Sequence, residues 1–314
     1  MKKKRGPASK FRHLAEYALF QIISFFVSFL SLRGVYGLGQ LLGRIPYHLR
    51  GKRYRIALAN LHIAYGDEKS PAEKKYVIKD SFSRLAVSAL QCLWLKRHPE
   101  TRIRELFAKE PRGLDLLKEC LGRGKGVFFL TAHYGNWEAL GIYHGILGMA
   151  HLDSIVRRLD NPYLEKAARE FRAVSGNGIF YREESPLKIA RALKNNTCVA
   201  VMMDQNTARG GVFVEFFGKK AATPRSVALL SYRLGTPILP LFAHPGPMGT
   251  YTLEYGPELK LEKTGNKVTD ILNWTQECEK FIESVIRKHP EPWMWGHRRW
   301  KTRPPDEKNE KIYP

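Results

Sequence analysis

The sequence predicts an α/β fold: a mostly parallel central sheet flanked by helices, with an N-terminal membrane-anchoring helix and a helical N-terminal region. From Val127 onward, short apolar segments alternate with helical patterns, as in a parallel sheet with helices on its faces. Residues 34–124 carry helical apolar periodicity instead. A longer apolar segment, Leu14 to Leu32, follows a basic N-terminus and ends at Arg33.

The 314 residues are enough for one large α/β domain behind this anchor. We divide the chain into residues 1–33, the basic N-terminus with the anchor helix, and residues 34–314, the functional domain. Within that domain a helical lead-in (34–124) precedes an α/β core (125–290). A basic, aromatic C-terminal segment (291–314) follows the core.

Elements of the core are predicted in chain order from apolar runs, caps and turns. The strands are Val127–Ala132, Leu152–Val156, Gly178–Tyr181, Cys198–Met203 and Pro237–Phe242, with Thr250–Tyr255 as an antiparallel edge strand. Helices open where a capping residue precedes proline, at Asn161-Pro162, Ser185-Pro186 and Thr223-Pro224. A long amphipathic helix spans Val268–Lys288. The apolar segment Arg209–Gly218 is predicted as a loop that packs in the core or lines a channel for an acyl chain.

The charge balance predicts an anionic partner. Fifty-two Lys and Arg residues against 30 Asp and Glu give a net charge of +22, which suits nucleic acid, an acidic protein or anionic lipid. Nucleic-acid motifs are absent, and the four scattered cysteines lack metal spacing and indicate a reducing compartment. Leu14–Leu32 is about long enough to span a bilayer but contains Glu16, Gln21 and three serines. We predict one anchor that spans the membrane or lies in its interface, with a buried amphipathic helix as the alternative.

The most informative segment is Phe128–Glu138, in which an apolar strand runs directly into His133 and a carboxylate follows five residues later. A continuous helix would hold these two side chains about 140° apart, but a strand that turns into a helix can bring them together. Asn136 then caps the helix and Glu138 lies in its first turn. We predict His133 as a general base whose tautomer is set by Glu138. The alternative is a structural histidine and a glutamate that only favours the helix dipole.

Other polar residues follow strands at the same sheet edge, where ligands bind in open α/β sheets. Asp204 ends a buried strand, and Arg157 ends another that leads into the helix carrying Arg172. An arginine there suits a phosphate or carboxylate, although a solvated surface is the alternative. Near the C-terminus, the aromatic and basic residues of Pro292–Pro304 suit a membrane interface, a stacking platform or a packed segment. Patterns for nucleotide binding and for a serine-nucleophile hydrolase are absent.

In combination, these motifs resemble the lipid A late acyltransferases, the bacterial lauroyl and myristoyl transferases of lipopolysaccharide assembly. The resemblance spans most of the chain. It is carried by the His133-to-Glu138 element, Arg158–Pro162, Asp204-Gln205, Phe213–Gly218 before Ala222-Thr223-Pro224, and Trp293–Pro304.

The resemblance implies an inner-membrane enzyme, facing the cytosol, that moves a fatty acyl chain from an acyl carrier protein thioester to a hydroxyl of a lipid A precursor. Acyl-CoA is the alternative co-substrate, and no cofactor, metal or nucleic acid is expected. The expected partners are acyl carrier protein, anionic membrane lipid and the lipid A precursor.

The resemblance also implies roles for individual residues. His133 and Glu138 carry over as the catalytic pair, and Arg172 and Asp204 as further site positions. Arg172 or Arg157 is expected to bind acceptor phosphates or to stiffen the carboxylate. Gln205 and Asn136 complete the predicted substrate-binding set.

The Gly135-Asn136 pair departs from the best-studied members and is closer to the mannoside acyltransferases of actinobacteria. The acceptor therefore stays open between a lipid A precursor and another glycolipid or a lysophospholipid. A non-catalytic peripheral protein that only binds anionic lipid is the alternative from another class.

Overall fold

The computed structural model describes residues 7–182, 184, 186–208, 210–307 and 310–313. Its strands are β1 Val127–Thr131, β2 Leu152–Val156, β3 Gly178–Tyr181, β4 Cys198–Met202, β5 Gly211–Phe216, β6 Lys219–Pro224, β7 Ile238–Pro245 and β8 Tyr251–Tyr255. Six of them form one sheet in the order β3-β2-β4-β1-β7-β8. All its pairings are parallel except that of β8 with β7. The predicted, mostly parallel sheet is confirmed, including its antiparallel edge strand.

Helices precede the sheet and cover both of its faces. Their bounds are α1 Pro7–Val27, α2 Leu32–Leu49, α3 Lys52–Tyr65, α4 Pro71–Trp94, α5 Pro99–Leu106, α6 Leu114–Gly122, α7 Trp137–Ile146, α8 Pro162–Ala173, α9 Pro186–Lys194, α10 Ser226–Leu234 and α11 Lys267–Lys288. The helix start at Asn161-Pro162 is confirmed, since the Asn161 side chain caps α8. Helix α9 begins at Pro186 as predicted, although Ser185 lies outside the described residues.

Strand β1 lies in the middle of the sheet, between β4 and β7. Its alternate side chains enter two hydrophobic clusters, Phe128 and Leu130 on one face and Val127 and Phe129 on the other. A strand buried on both faces reads as a continuous apolar run rather than as an alternating one. This central position delivers His133 to the carboxyl edge of the sheet.

The predicted loop of Arg209–Gly218 is wrong, because Gly211 to Pro224 form an antiparallel hairpin. The turn residues Phe217 and Gly218 both have positive φ, 51° and 69°, which is the two-residue geometry that suits hairpin twist. The helix predicted to open at Thr223-Pro224 is wrong for the same reason, since these residues end β6 and α10 starts at Ser226. Val214, Phe216 and Phe217 are buried in the core, so core packing is confirmed for these three side chains, whereas Val212 and Phe213 are partly buried and Arg209 lies outside the described residues.

The predicted spanning anchor is not supported. Leu14–Leu32 does not form one helix, because α1 ends at Val27 and the Ser31 side chain caps a new helix by accepting from Gly34 N–H. Among the described residues, none of the helices combines the length and apolarity needed to cross a bilayer. The polar residues of α1 instead contact the body of the protein: Asn161 Nδ2 donates to Glu16 Oε2 (2.8 Å), and Lys96 Nζ to Gln21 Oε1 (3.1 Å).

Candidate active site

Two neighbouring parallel strands deliver the central pair of the site. Thr131 of β1 is in register with Met202 of β4, and both residues end their strands. Because the two strands run in the same direction, positions the same number of residues beyond their ends emerge side by side. His133 and Asp204 each lie two residues past these ends, and their side chains meet.

The imidazole of His133 is held at both nitrogens. Its Nδ1 lies 2.9 Å from Asp204 Oδ1, and its Nε2 lies 3.0 Å from Gln205 Nε2. The His133 backbone N–H and the Trp293 indole N–H both donate to the other oxygen of Asp204, at 2.9 and 2.8 Å. An ionised carboxylate only accepts, so Nδ1 carries the proton, and the lone pair of Nε2 accepts from the Gln205 amide. This is the tautomer that a general base needs.

Asp204 is ionised although it is nearly fully buried, with 2% of its side chain exposed. Burial alone would raise the pKa of Asp204, but the attraction of the His133 ring when it is protonated, and the hydrogen bonds from His133 and Trp293, lower it to about 2. A buried carboxylate that accepts several N–H bonds is a fixed negative charge. It stabilises the imidazolium that forms when the base takes a proton.

The expectation that Glu138 holds His133 is wrong in its geometry. Asn136 caps α7 as predicted and Glu138 lies in the first turn, but its two oxygens accept from Arg172 Nη2 and Nε, at 2.7 and 2.9 Å. Burial alone would lower the pKa of Arg172, but its hydrogen bonds and charge interaction with Glu138 raise it. Arg172 thus contacts the Glu138 carboxylate, its binding of acceptor phosphates stays a prediction, and Asp204 is the carboxylate partner of His133.

The remaining predicted residues lie in different settings. Gln205 reaches the imidazole, whereas Asn136 is buried and uses both polar atoms inside the fold: Oδ1 accepts from Ala139 N–H and Nδ2 donates to Gln91. Its position gives Asn136 a structural role. Arg157 lies on the exposed surface, 3.7 Å from Asp160, and its binding of substrate stays a prediction.

Gly135 permits the tight turn between the base and α7. Its φ is +60°, a left-handed conformation that favours glycine. A Cβ there would lie 2.3 Å from the Ala243 carbonyl oxygen. Any other residue would push this loop away from β7 and move His133 with it.

An apolar cavity of about 260 Å³ opens beside the Glu138–Arg172 pair. This pair contributes charged groups to its lining, and its walls come from α1, α4 and α8 and the loop before α8. The other lining residues are Phe20, Cys92, Leu93, Lys96, Leu159, Leu164, Ala167, Ala168 and Phe171. Such a cavity accommodates a slender apolar group with a polar end. Within the described part of the chain, no group of three or more His, Cys, Asp or Glu side chains is arranged to hold a metal ion.

The profile of the family described as "Bacterial lipid A biosynthesis acyltransferase" matches residues 5–302. The chain belongs to this family. It is therefore an acyltransferase, and the non-catalytic alternative is set aside.

The names of curated relatives of this acyltransferase refer either to lipid A biosynthesis or to a phosphatidylinositol mannoside. The lipid A biosynthesis palmitoleoyltransferase of Escherichia coli K12 is 27% identical over 271 residues, 85% of each chain. The lipid A biosynthesis lauroyltransferase of the same strain is 25% identical over 274 residues, 86% of each chain. The phosphatidylinositol mannoside acyltransferase of Mycobacterium tuberculosis is 30% identical over 197 residues, 60% of this chain and 58% of the relative.

Besides the pairing of His133 with Asp204, sequence reasoning missed the hydrogen bond from Trp293 to Asp204 in the acyltransferase site. Trp293, Trp295 and Trp300 are at most 1% exposed, so among the alternatives left open for the C-terminal segment the structure supports a packed segment. The signal available was that a buried indole needs a hydrogen-bond acceptor. The sequence alone does not identify that acceptor.

Proposed function

We propose that this acyltransferase moves a fatty acyl chain from an acyl carrier protein thioester to a hydroxyl of a lipid A precursor, with His133 as general base. The observation that carries the proposal is the His133–Asp204 pair, which leaves Nε2 unprotonated at the carboxyl edge of the sheet. The acceptor hydroxyl replaces the Gln205 amide at Nε2. Gln205 is then a nearby side-chain donor for the oxygen of the thioester carbonyl.

The acceptor hydroxyl attacks the thioester directly, so the reaction needs no nucleophile from the protein. The hydroxyl oxygen forms the ester bond with the acyl carbon while its proton passes to His133 Nε2. The carbon–sulfur bond then breaks, and the proton passes from Nε2 to the departing thiolate. General-base help supplies typically ~10²–10⁴-fold, so positioning and oxyanion stabilisation supply the rest.

The apolar cavity supports a fatty acyl donor. Its lining combines the Glu138–Arg172 pair with apolar side chains such as Phe20 of α1 and Phe171 of α8, which suits an acyl chain with a polar head. In this arrangement Glu138 fixes Arg172 through two bonds. The net charge of +22 suits an anionic donor, and both an acidic acyl carrier protein and acyl-CoA meet that requirement.

Peripheral binding to the cytoplasmic face of the inner membrane brings the enzyme to its acceptor. Helices α1 and α2 expose large apolar side chains, including Phe11, Phe26 and Leu49 at 78%, 66% and 75%. An exposed apolar face with basic neighbours suits an anionic membrane interface. Flotation with anionic vesicles should succeed for the wild type and weaken for Phe26→Glu. The control Val268→Glu changes a side chain of α11 that is 79% exposed and should float as the wild type does.

A second acceptor class has specific support. The mycobacterial relative acylates a phosphatidylinositol mannoside by its name, and the Gly135-Asn136 pair resembles that group. A mannosylated glycolipid acceptor is therefore the alternative to a lipid A precursor.

Mass spectrometry of the products tests both acceptors. Purified protein receives acyl-loaded acyl carrier protein with a tetra-acylated lipid A precursor, a phosphatidylinositol mannoside or a lysophospholipid. A gain of one acyl group on the lipid A precursor, absent in His133→Ala, is expected. A mass gain of one acyl group on the mannoside alone would identify a mannosylated glycolipid as the acceptor. A mass gain that persists in His133→Ala would refute the mechanism. A parallel series with acyl-CoA tests the donor.

A further inference from the structure

Residues 292–302, which we name the C-terminal clamp, contact the two loops that carry His133 and Asp204. On the first loop, the Met294 N–H donates to the His133 carbonyl oxygen at 3.0 Å. The Gly135 N–H donates to the Pro292 carbonyl oxygen at 3.1 Å. Both bonds are to main-chain atoms, so they fix the path of the loop itself.

The clamp also bonds the second loop, and there it uses side chains. The indole of Trp293 donates to Asp204 Oδ2 at 2.8 Å, and His297 Nε2 accepts the Asn206 N–H at 3.1 Å. Burial lowers the pKa of His297 to about 4, so this ring stays neutral and keeps its acceptor nitrogen at neutral pH. Thr302 closes the loop with bonds of 2.9 and 3.0 Å to the Asn206 side chain.

The clamp is anchored by a buried ion pair. Arg299 and Glu279 of α11 are both fully buried, and Arg299 Nη2 lies 3.1 Å from Glu279 Oε2. Arg299 also donates to the Ala222 carbonyl oxygen at 2.9 Å and to Thr223 Oγ1. Removing either charge would leave the other buried and unpaired, which is costly. The clamp is therefore fixed relative to both the hairpin and α11.

We propose that Trp293 is a positioning residue that acts on the base through Asp204. Its N–H and the His133 backbone N–H occupy Oδ2, which turns Oδ1 toward the imidazole and prevents rotation of the carboxylate. The clamp thus holds the base and its carboxylate in one rigid unit although they lie on separate loops. This inference rests on the proposed role of His133 as general base.

Trp293→Phe tests the inference because it removes the donor and keeps an aromatic ring. The matched control is Trp274→Phe: Trp274 of α11 is buried outside the clamp, and its N–H donates at 2.8 Å to the Glu262 carbonyl oxygen. We expect Trp293→Phe to lower kcat about tenfold with KM nearly unchanged, as for an interaction with a charged group felt in the transition state. Trp274→Phe should keep a kcat close to that of the wild type.

A second readout separates this inference from the proposed function. In ¹⁵N NMR spectra, the His133 ring should show one Nδ1–H tautomer in the wild type and in Trp274→Phe, and a tautomer mixture in Trp293→Phe. Equal kcat values and equal spectra for the two variants would overturn the positioning role. If the wild type transferred no acyl group to any acceptor, the proposed function would fail, while the tautomer spectra would still decide whether the clamp orients His133.

Discussion

The substitution Asp204→Asn tests whether Asp204, rather than Glu138, is the carboxylate that orients His133. Asp204 contacts the imidazole in the structure, whereas sequence spacing suggests Glu138. In the wild type, Oδ2 accepts two N–H groups and Oδ1 accepts one, from His133 Nδ1. An asparagine keeps its oxygen at the position with two donors and turns its NH₂ toward Nδ1. His133 must then accept at Nδ1 and carry its proton on Nε2. A ring in that state cannot take a proton from the acceptor hydroxyl.

The expected fall in kcat is about 10³- to 10⁴-fold, since the same change in a Ser-His-Asp triad costs about 10⁴ by imposing the wrong tautomer. The fold should survive, because the asparagine has nearly the same shape. Losing hydrogen bonds to a buried charge is expected to lower the free energy of unfolding by about 1–3 kcal/mol. The assay is product formation measured by mass spectrometry, with thermal unfolding measured on the same samples.

A second histidine–aspartate pair offers the control. Asp153 on β2 lies 3.2 Å from His151, whose side chain is half exposed, and Asp153→Asn should leave kcat unchanged. Glu138→Gln completes the set and should have a smaller effect than Asp204→Asn. If Asp204→Asn retained kcat within tenfold while Glu138→Gln abolished it, the assignment of Asp204 would be wrong and Glu138 would be the operative carboxylate.

Three further outcomes are expected. Arg172→Lys cannot form both bonds to Glu138, so kcat/KM should fall by about tenfold, whereas loss below twofold would contradict a role for the pair. The pKa of Asp204 is about 2 instead of 3.8. The ionised Asp204 carboxylate should therefore raise the free energy of unfolding by about 2 kcal/mol above pH ~4, and this contribution should vanish as the pH falls toward 2. Denaturant unfolding against pH should show that slope in the wild type but not in Asp204→Asn. Ala168→Phe fills the apolar cavity and should raise KM for long acyl donors more than for short ones, and an equal rise for both would place the chain elsewhere.

The residues of the site could be predicted from the sequence, but their pairing could not. His133 and Asp204 were both found because each follows an apolar strand, and the carboxyl edge of a sheet collects such residues. Which strand lies beside β1 depends on the path of the crossover connections, and β4 is its neighbour although β2 and β3 come first in the chain. Glu138 was predicted as the carboxylate partner of His133 because it is close along the chain. The register of β1 and β4 in the sheet instead brings Asp204 to His133.

The hairpin was not predicted because the first residue of its turn, Phe217, is unusual for this turn type. A two-residue turn with positive φ at both positions is normally formed by Asn-Gly or Asp-Gly, and here Phe217 takes the first position. Tertiary contacts offset this strain: the Phe217 N–H donates to Glu283 of α11, and its ring packs against Tyr65 and Trp295. Local sequence preference does not contain these partners.

Helix α1 links the apolar cavity to the surface that we propose binds the membrane. The polar residues that interrupt its apolar sequence, Glu16 and Gln21, bond the N-cap residue of α8 and Lys96 in the turn after α4. Phe20 of the same helix lies in the cavity wall, whereas Phe26 is exposed. The interruptions in the apolar segment therefore dock α1 on the rest of the protein, and the exposed apolar side chains that remain are those that the proposed interfacial position would use.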